Sequence, residues 1–178
     1  MDPSTVFPRL LLCPERSFLL FGPRGTGKST WLKQTLPNAP RFDLLDASLF
    51  LELHREPHRL EALAGSRAAG SWIVLDEIQK IPQLLDEVHR LMEDRRWRFA
   101  LCGSSARKLK RGGANLLAGR AITLNMEGLV SAELRKQFDA QFSLEWGTLP
   151  FIHTDKKHAA EILAAYVTTY LKEEIREE

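Results

Sequence analysis

The glycine-rich segment at residues 22–30 is where residue types and spacing most clearly indicate chemistry. It reads Gly22-Pro23-Arg24-Gly25-Thr26-Gly27-Lys28-Ser29-Thr30 and matches the pattern G-x-x-x-x-G-K-[S/T] at every fixed position. Glycines let the backbone curl so that successive N–H groups point inward at a phosphate. Lys28 adds a full positive charge for the β- and γ-phosphates, and the Ser29 hydroxyl is a hard oxygen ligand for Mg²⁺. The segment therefore predicts a loop that binds a nucleoside triphosphate together with Mg²⁺.

Two consecutive acids, Asp76 and Glu77, follow an apolar run at residues 72–75. An acid at the end of a buried strand beside the loop is expected to hold Mg²⁺ through water, so Asp76 is predicted to share the metal with Ser29. Glu77 is the candidate general base that polarises an attacking water. The sequence has no Asn-Lys-x-Asp motif for reading guanine, so ATP is the expected nucleotide.

Two residues further along are predicted to act on the γ-phosphate. Ser104 follows the apolar run 99–103, and in a parallel sheet it would open on the same crevice as the earlier strands. Ser104, or its neighbour Ser105, is expected to hydrogen-bond the γ-phosphate or the water; the alternative is that they cap the next helix. Arg120 lies between a helix and a strand, where it could reach the γ-phosphate of a neighbouring subunit in a homo-oligomer. A solvated face is the usual explanation for such basic residues, which here also include Arg107, Lys108, Lys110 and Arg111.

Short apolar runs that alternate with helix-like segments are predicted to position these residues in an α/β fold with a parallel sheet. Five strands are expected, at residues 17–21, 41–45, 72–75, 98–103 and 121–124. Helices are expected at residues 28–36, at 48–67 with an interruption at Pro57, from Pro82 onward, and within residues 104–119. A final helix from Ala159 carries Leu163, Val167, Tyr170 and Leu171 on one stripe.

Composition excludes several classes of protein. At 178 residues and 44% hydrophobic, the chain can bury one sizeable core. A formal net charge of +2 lacks the strong positive charge that is typical of domains that bind nucleic acid. Two cysteines are too few for a disulfide framework, and no apolar run is long enough to cross a bilayer. The N-terminus lacks the layout of a signal peptide, so we expect a cytoplasmic protein with no membrane partner.

Several motifs occur together in an order that resembles a known family. They are the loop 22–30, then Leu75-Asp76-Glu77-Ile78-Gln79-Lys80-Ile81-Pro82, Cys102-Gly103-Ser104-Ser105-Ala106-Arg107-Lys108-Leu109, Leu117-Ala118-Gly119-Arg120 and Tyr170-Leu171-Lys172-Glu173-Glu174-Ile175. The chain resembles the N-terminal ATPase region of a widespread prokaryotic family of AAA-type ATP-binding proteins with a poorly characterised C-terminal domain. The resemblance implies a three-layer P-loop NTPase fold with a five-stranded parallel sheet, followed by the start of a helical lid. It also implies that Asp76 and Glu77 fill the metal and water-activating positions and Ser104 the sensor position.

The resemblance also implies a domain organisation. Residues 1–126 are expected to form the ATPase core and residues 127–178 part of the lid. The final helix reaches Glu178 without a stop signal, so we expect the chain to be cut short before the C-terminal domain.

The leading hypothesis for function is Mg²⁺-dependent hydrolysis of ATP to ADP and phosphate, coupled to conformational change in that C-terminal domain. The expected catalytic residues are Lys28, Glu77, Ser104 and Arg120. One alternative is a nucleotide-binding switch with very slow turnover. Another is a P-loop kinase that transfers the γ-phosphate to a small molecule, although the pair Asp76 and Glu77 favours water as the acceptor.

Overall fold

The structure is a computed structural model, and it describes residues 6–104, 109, 117 and 119–171 of the chain. Most of the predicted fourth helix lies outside the described residues, together with Ser105 and the basic residues Arg107, Lys108, Lys110 and Arg111. The run Lys172-Glu173-Glu174-Ile175 also lies outside them.

One parallel sheet contains all five predicted strands. The strands are β1 (Phe18–Phe21), β2 (Arg41–Asp43), β3 (Trp72–Asp76), β4 (Arg98–Cys102) and β5 (Ile122–Asn125), and their order in the sheet is β2-β3-β4-β1-β5. Every neighbouring pair is parallel. The prediction of a five-stranded parallel sheet is therefore confirmed. The carboxyl ends of β1, β3 and β4 lie at the same edge of the sheet, and the predicted site residues follow these three ends.

The three interior strands, β1, β3 and β4, have no apolar–polar alternation because they are covered on both faces, whereas the edge strands β2 and β5 alternate. The residues of β1 and β4 that are 0% exposed are Phe18, Leu19, Leu20, Phe99, Ala100, Leu101 and Cys102. In β3, Ile73 and Leu75 are likewise fully buried. This packing fixes the positions at which the loops leave the sheet.

Among the described residues, the helices that accompany the strands are α1 (Lys28–Thr35), α2 (Ala47–Arg55), α3 (Arg59–Ala64) and α4 (Leu84–Asp94). Pro57 separates α2 from α3, as the sequence predicts, because proline cannot donate the backbone hydrogen bond that a continuous helix needs. Helix α4 begins at Leu84 rather than at Pro82. The chain first makes a 3₁₀ turn over Ile78–Lys80, which delays the start of the helix.

The chain divides into two compact units. The sheet unit comprises Leu12–Pro23 and Lys28–Met126, and the helical unit comprises Met1–Leu11, Arg24–Gly27 and Glu127–Glu178. The tip of the glycine-rich loop thus belongs to the helical unit, whereas both ends of the loop belong to the sheet unit.

Within the helical unit, the described helices are α5 (Ser131–Leu134), α6 (Ala140–Trp146), α7 (Pro150–Thr154) and α8 (Ala159–Tyr166). A π-helical turn, Val167–Leu171, continues α8. The predicted stripe along this helix is wrong at Val167, which is 41% exposed, while Tyr170 is 8% exposed. The wider π turn changes the 3.6-residue period, so positions chosen on that period no longer share one face. None of the described helices has the length and apolar character needed to span a bilayer.

Candidate functional site

The backbone between β1 and α1 forms a tightly curled loop. Gly22, Gly25 and Gly27 have φ angles of +146°, +79° and +91°, which residues with a side chain rarely adopt. Gly22 is also required by a close approach, since a Cβ there would lie 2.0 Å from the carbonyl oxygen of Met126. The loop leads into the N-terminus of α1, where the helix dipole favours an anion. This backbone fits a bound phosphate group.

Lys28 is the first residue of α1 and is only 7% exposed. Its Nζ donates hydrogen bonds to the carbonyl oxygens of Gly22, at 2.6 Å, and Pro23, at 2.8 Å. The ammonium group is thereby held against the first residues of the loop. Among the other side chains of the loop, Thr26 is buried, whereas Arg24 and Thr30 are exposed.

Ser29 and Asp76 are brought together by the sheet. Ser29 Oγ donates a hydrogen bond to Asp76 Oδ2 at 2.6 Å, which joins the start of α1 to the end of β3. A hydroxyl beside a carboxylate fits Mg²⁺, which prefers hard oxygen ligands and keeps several waters. The described residues contain no group of three or more His, Cys, Asp or Glu side chains that could hold a metal ion.

A cleft of about 240 Å³ opens beside this pair, and Ser29, Asp76 and Glu77 all line it. Two basic residues, Lys33 and Arg41, line it as well. The Arg41 guanidinium donates to the carbonyl oxygens of Leu32 and Leu36, and its burial lowers the pKa of the group. Asp43 lines the cleft too, so the candidate metal ligands and the candidate base face a common space with charges of both signs on its wall.

Glu77 has a left-handed backbone, with φ of 58° and ψ of 41°. This conformation is uncommon for residues other than glycine and occurs more often at functional sites. The backbone N–H of Glu77 donates to Asp76 Oδ1 at 3.1 Å, and its carboxylate oxygen Oε2 accepts a hydrogen bond from the side-chain amide of Gln79.

Ser104 follows β4 and is 9% exposed. Its Oγ lies 3.3 Å from Nε2 of Gln79, the same amide nitrogen that binds Glu77. The structure therefore brings Ser104 and Glu77 into one hydrogen-bond network.

Cys102, the last residue of β4, adjoins the candidate metal ligand Asp76. Its thiol is fully buried and lies within electrostatic reach of the Asp76 carboxylate. Burial first, and then the negative charge of Asp76, raise the pKa of this thiol well above its ordinary value. Cys102 is therefore a protonated, unreactive thiol within the core.

Arg120 lies on the exposed surface in the turn before β5. Its Nε donates to Glu93 Oε1 at 2.8 Å, and the two side chains are 44% and 50% exposed. The hydrogen bond from Arg120 lowers the pKa of the Glu93 carboxyl. Within its own chain, Arg120 thus forms a surface ion pair with α4.

The sequence of the site and its sheet matches a known family. A family model described as an AAA domain matches residues 14–135, which is more than half of the chain. The chain belongs to this AAA family. Among curated proteins, none shows a significant match to the sequence.

Two solved structures share the fold of this AAA domain. A Walker-type ATPase of Pyrococcus abyssi matches it with a TM-score of 0.59 and 15% identity, over 90% of this chain and 71% of that chain. A RuvB mutant of Thermotoga maritima matches with a TM-score of 0.51 and 17% identity, over 73% of this chain and 44% of that one. The AAA domain thus spans less than half the length of the RuvB chain. At these identities the likeness shows the fold alone.

Sequence reasoning missed one arginine that supports the loop of this AAA domain. Within the helical unit, Arg9 donates to the carbonyl oxygen of Thr26, at the loop tip, and to that of Glu127. Its Nε also forms an ion pair with Glu133 at 3.0 Å, and the two side chains are only 9% and 4% exposed. The sequence offers little signal for this role, because Glu133 lies 124 positions away from Arg9.

Proposed function

We propose that this AAA domain binds ATP together with Mg²⁺ at residues 22–30 and hydrolyses the ATP to ADP and phosphate. The observation that carries the proposal is the 2.6 Å hydrogen bond between Ser29 Oγ and Asp76 Oδ2. It makes the two candidate metal ligands neighbours at the end of a loop whose backbone fits phosphate. Glu77, the candidate base, follows Asp76 directly and lines the same cleft.

Each residue has a separate task in the proposed reaction. The loop N–H groups and Lys28 bind the phosphates and stabilise their negative charge. Ser29 and Asp76 hold Mg²⁺, which neutralises charge on the phosphate oxygens when it is bound. Ser104 hydrogen-bonds the γ-phosphate or the attacking water.

Glu77 accepts the proton in the chemical step. As the oxygen of a water molecule forms a bond to the γ-phosphorus, one proton of that water passes to the Glu77 carboxylate. The bond between the γ-phosphorus and the β–γ bridging oxygen breaks, and its electron pair leaves with ADP. The products are ADP and inorganic phosphate.

We further propose that the nucleotide state is relayed through the helical unit to a C-terminal domain. Contacts within that unit support this. Tyr166 Oη donates to the carbonyl oxygen of Arg24 at 3.1 Å, and the Arg24 guanidinium lies 5.6 Å from the centre of the Tyr170 ring. The Phe151 ring occupies the space beside Gly25, with Cε1 2.2 Å from where a Cβ would lie. A change in the conformation of the loop tip would therefore alter contacts with α7 and α8 directly.

Replacement of Glu77 by Gln tests the hydrolysis. The side chain keeps its size but loses the base, so the rate of phosphate release is expected to fall by about 10²–10⁴. ATP·Mg²⁺ should still bind, because Lys28, Ser29 and Asp76 are unchanged. Phosphate release and calorimetric titration of ATP measure the two effects, with Glu56→Gln, an exposed acid of the same unit, as the matched control.

The outcomes separate the alternatives. A Glu77→Gln variant as fast as the wild type would show that Glu77 is not the base. Transfer of the γ-phosphate from ATP to a small molecule, without release to water, would instead identify a kinase. Tight binding with almost no turnover of the wild type would identify a slow switch.

A further inference from the structure

The side chain of Gln79 lies between the candidate base and the candidate sensor. Gln79 belongs to the 3₁₀ turn Ile78–Lys80, which is anchored in the core by the fully buried Ile78. Its Nε2 donates to Glu77 Oε2 and lies 3.3 Å from Ser104 Oγ. An amide nitrogen carries two N–H donors, so it can bind both groups at once. One side chain thus connects the end of β3 with the end of β4.

The other end of the same amide is buried beside a glycine. Gln79 Oε1 has no hydrogen-bond partner among the described residues. A Cβ at Gly103 would lie 2.3 Å from this oxygen, so the amide takes its place only because residue 103 has no side chain. A buried acceptor without a donor lowers stability. The reverse orientation of the amide would set its oxygen against the Glu77 carboxylate, so the contact with Glu77 decides which end faces the base.

The backbone of Glu77 is held, but its carboxylate needs a partner of its own. The left-handed backbone and the hydrogen bond from its N–H to Asp76 fix where the side chain begins. Rotatable bonds separate that backbone from the carboxylate, which reaches solvent in the cleft. The hydrogen bond from Gln79 supplies the missing restraint.

We propose that Gln79 is a positioning residue: it aims the Glu77 carboxylate at the attacking water and couples that aim to the Ser104 hydroxyl. This inference rests on the function proposed above. When Ser104 turns toward a phosphate oxygen, it changes one of the two hydrogen bonds of the amide and thereby the other. The orientations of the Glu77 carboxylate and the Ser104 hydroxyl are therefore coupled without direct contact between the two groups.

The first test replaces Gln79 by Leu, which has nearly the same volume but no donors. The value of kcat is expected to fall about ten- to a hundredfold, the usual effect of a misaligned catalytic group. The Kd for ATP·Mg²⁺, measured by calorimetry, should stay unchanged because no phosphate-binding residue is altered. Gln83→Leu, at an exposed glutamine four residues further on, is the matched control and should leave both values unchanged.

A second variant displaces the amide without removing it. Gly103→Ala sets a methyl group where Gln79 Oε1 lies, so it should lower kcat in the same way as Gln79→Leu. The double variant Gly103→Ala/Gln79→Ala should be no slower than Gln79→Ala alone. With Ala at residue 79, the methyl group added at residue 103 has no amide to displace. Such non-additivity identifies residues that act through one contact. Independent, additive losses would contradict the inference.

A third measurement needs neither nucleotide nor turnover. The ¹H–¹⁵N resonances of the Gln79 side-chain amide, recorded on the nucleotide-free protein, should shift in both Glu77→Ala and Ser104→Ala. The side-chain amide of Gln83 serves as the internal control and should not move. Gln79 side-chain resonances that stay unshifted in either variant would overturn the proposed hydrogen-bond network.

The results distinguish the inference from the function on which it rests. A wild type that hydrolyses ATP, with a Gln79→Leu variant that is equally fast, overturns the inference and leaves the function intact. A wild type that does not hydrolyse ATP contradicts the function and the positioning role together, even where the amide resonances respond as expected.

Discussion

Burial of Lys28 strengthens the electrostatic interactions of its ammonium group. It is 7% exposed and bonded to the carbonyl oxygens of Gly22 and Pro23, so its ammonium group is partly removed from water. Charges in such surroundings interact more strongly than charges on the surface, because the local dielectric constant is lower. The lysine is thus expected to contribute far more to phosphate binding than an exposed lysine could.

Replacement of Lys28 by Ala should therefore weaken ATP binding. Truncating one partner of a buried charge pair costs roughly 2–5 kcal/mol, so the affinity for ATP·Mg²⁺ is expected to fall by about thirtyfold or more. Calorimetric titration measures the change, and Lys136→Ala, at an exposed lysine, is the control. Equal affinities of wild type and Lys28→Ala would mean that the nucleotide binds elsewhere.

Local geometry sets the spacing of four of the site residues that the sequence predicts. Lys28 and Ser29 belong to one short loop, and Asp76 and Glu77 to the end of one apolar strand. Gln79 belongs to the motif at residues 75–82, but the sequence does not indicate its role, because its second partner, Ser104, lies 25 positions away. A contact over such a distance depends on how the strands are ordered in the sheet, which local spacing does not reveal.

At the scale of elements, the sequence predicts the strands better than the helix ends. Unbroken apolar runs such as β3 and β4 are unmistakable, because a strand covered on both faces needs apolar side chains throughout. The late start of α4 follows from the left-handed backbone of Glu77 and the 3₁₀ turn after it. The π turn after α8 likewise interrupts a regular period.

Helix α5 and the N-terminal segment are joined by one buried carboxylate. Glu133 accepts hydrogen bonds from the N–H groups of Leu10, at 2.7 Å, and Val130, at 3.1 Å, besides its ion pair with Arg9. Arg9 in turn binds the carbonyl oxygen of Thr26. The carboxylate therefore stabilises a chain of contacts that reaches the tip of the phosphate loop.

Replacement of Glu133 by Ala should destabilise the helical unit strongly. It leaves the Arg9 guanidinium buried without its counter-charge, and removal of one partner of a buried ion pair typically costs roughly 3–5 kcal/mol. Urea unfolding followed by far-UV circular dichroism measures the loss. Glu145→Ala, at an exposed glutamate of α6, should change the unfolding free energy little. Matching values for the two variants would show that the pair with Arg9 contributes nothing.

At the scale of the whole molecule, Arg120 is the residue through which we propose that subunits share a site. Its ion pair with Glu93 is about half exposed, and exposed pairs contribute little to stability because water and salt screen them. The guanidinium can therefore leave Glu93 at small cost, and we propose that it then binds the γ-phosphate of a neighbour.

The shared site predicts complementation between two inactive variants. Arg120→Ala should bind ATP normally but lose about 10³–10⁵ in turnover, the range known for arginines that act across an interface. Mixing it with Glu77→Gln should restore some phosphate release, since one kind of mixed interface keeps an intact site. Specific activity should also rise with protein concentration.

Arg59→Ala, which breaks a comparable surface ion pair with Glu52, is the control and should keep full activity. Two variants that fail to complement, in a protein whose specific activity is flat with concentration, would make Arg120 a local structural residue.

The buried thiol of Cys102 provides an intrinsic infrared probe of the candidate site. The S–H stretch falls in a spectral window where water and other protein groups absorb little, and its frequency depends on the local electric field. Because the negative charge of Asp76 acts on this buried thiol, the band senses the field of that carboxylate. A cation bound beside Asp76 would change the field and shift the band. Occupancy of the candidate metal position can thus be followed in solution without a dye or isotope, and Cys102→Ala supplies the blank spectrum.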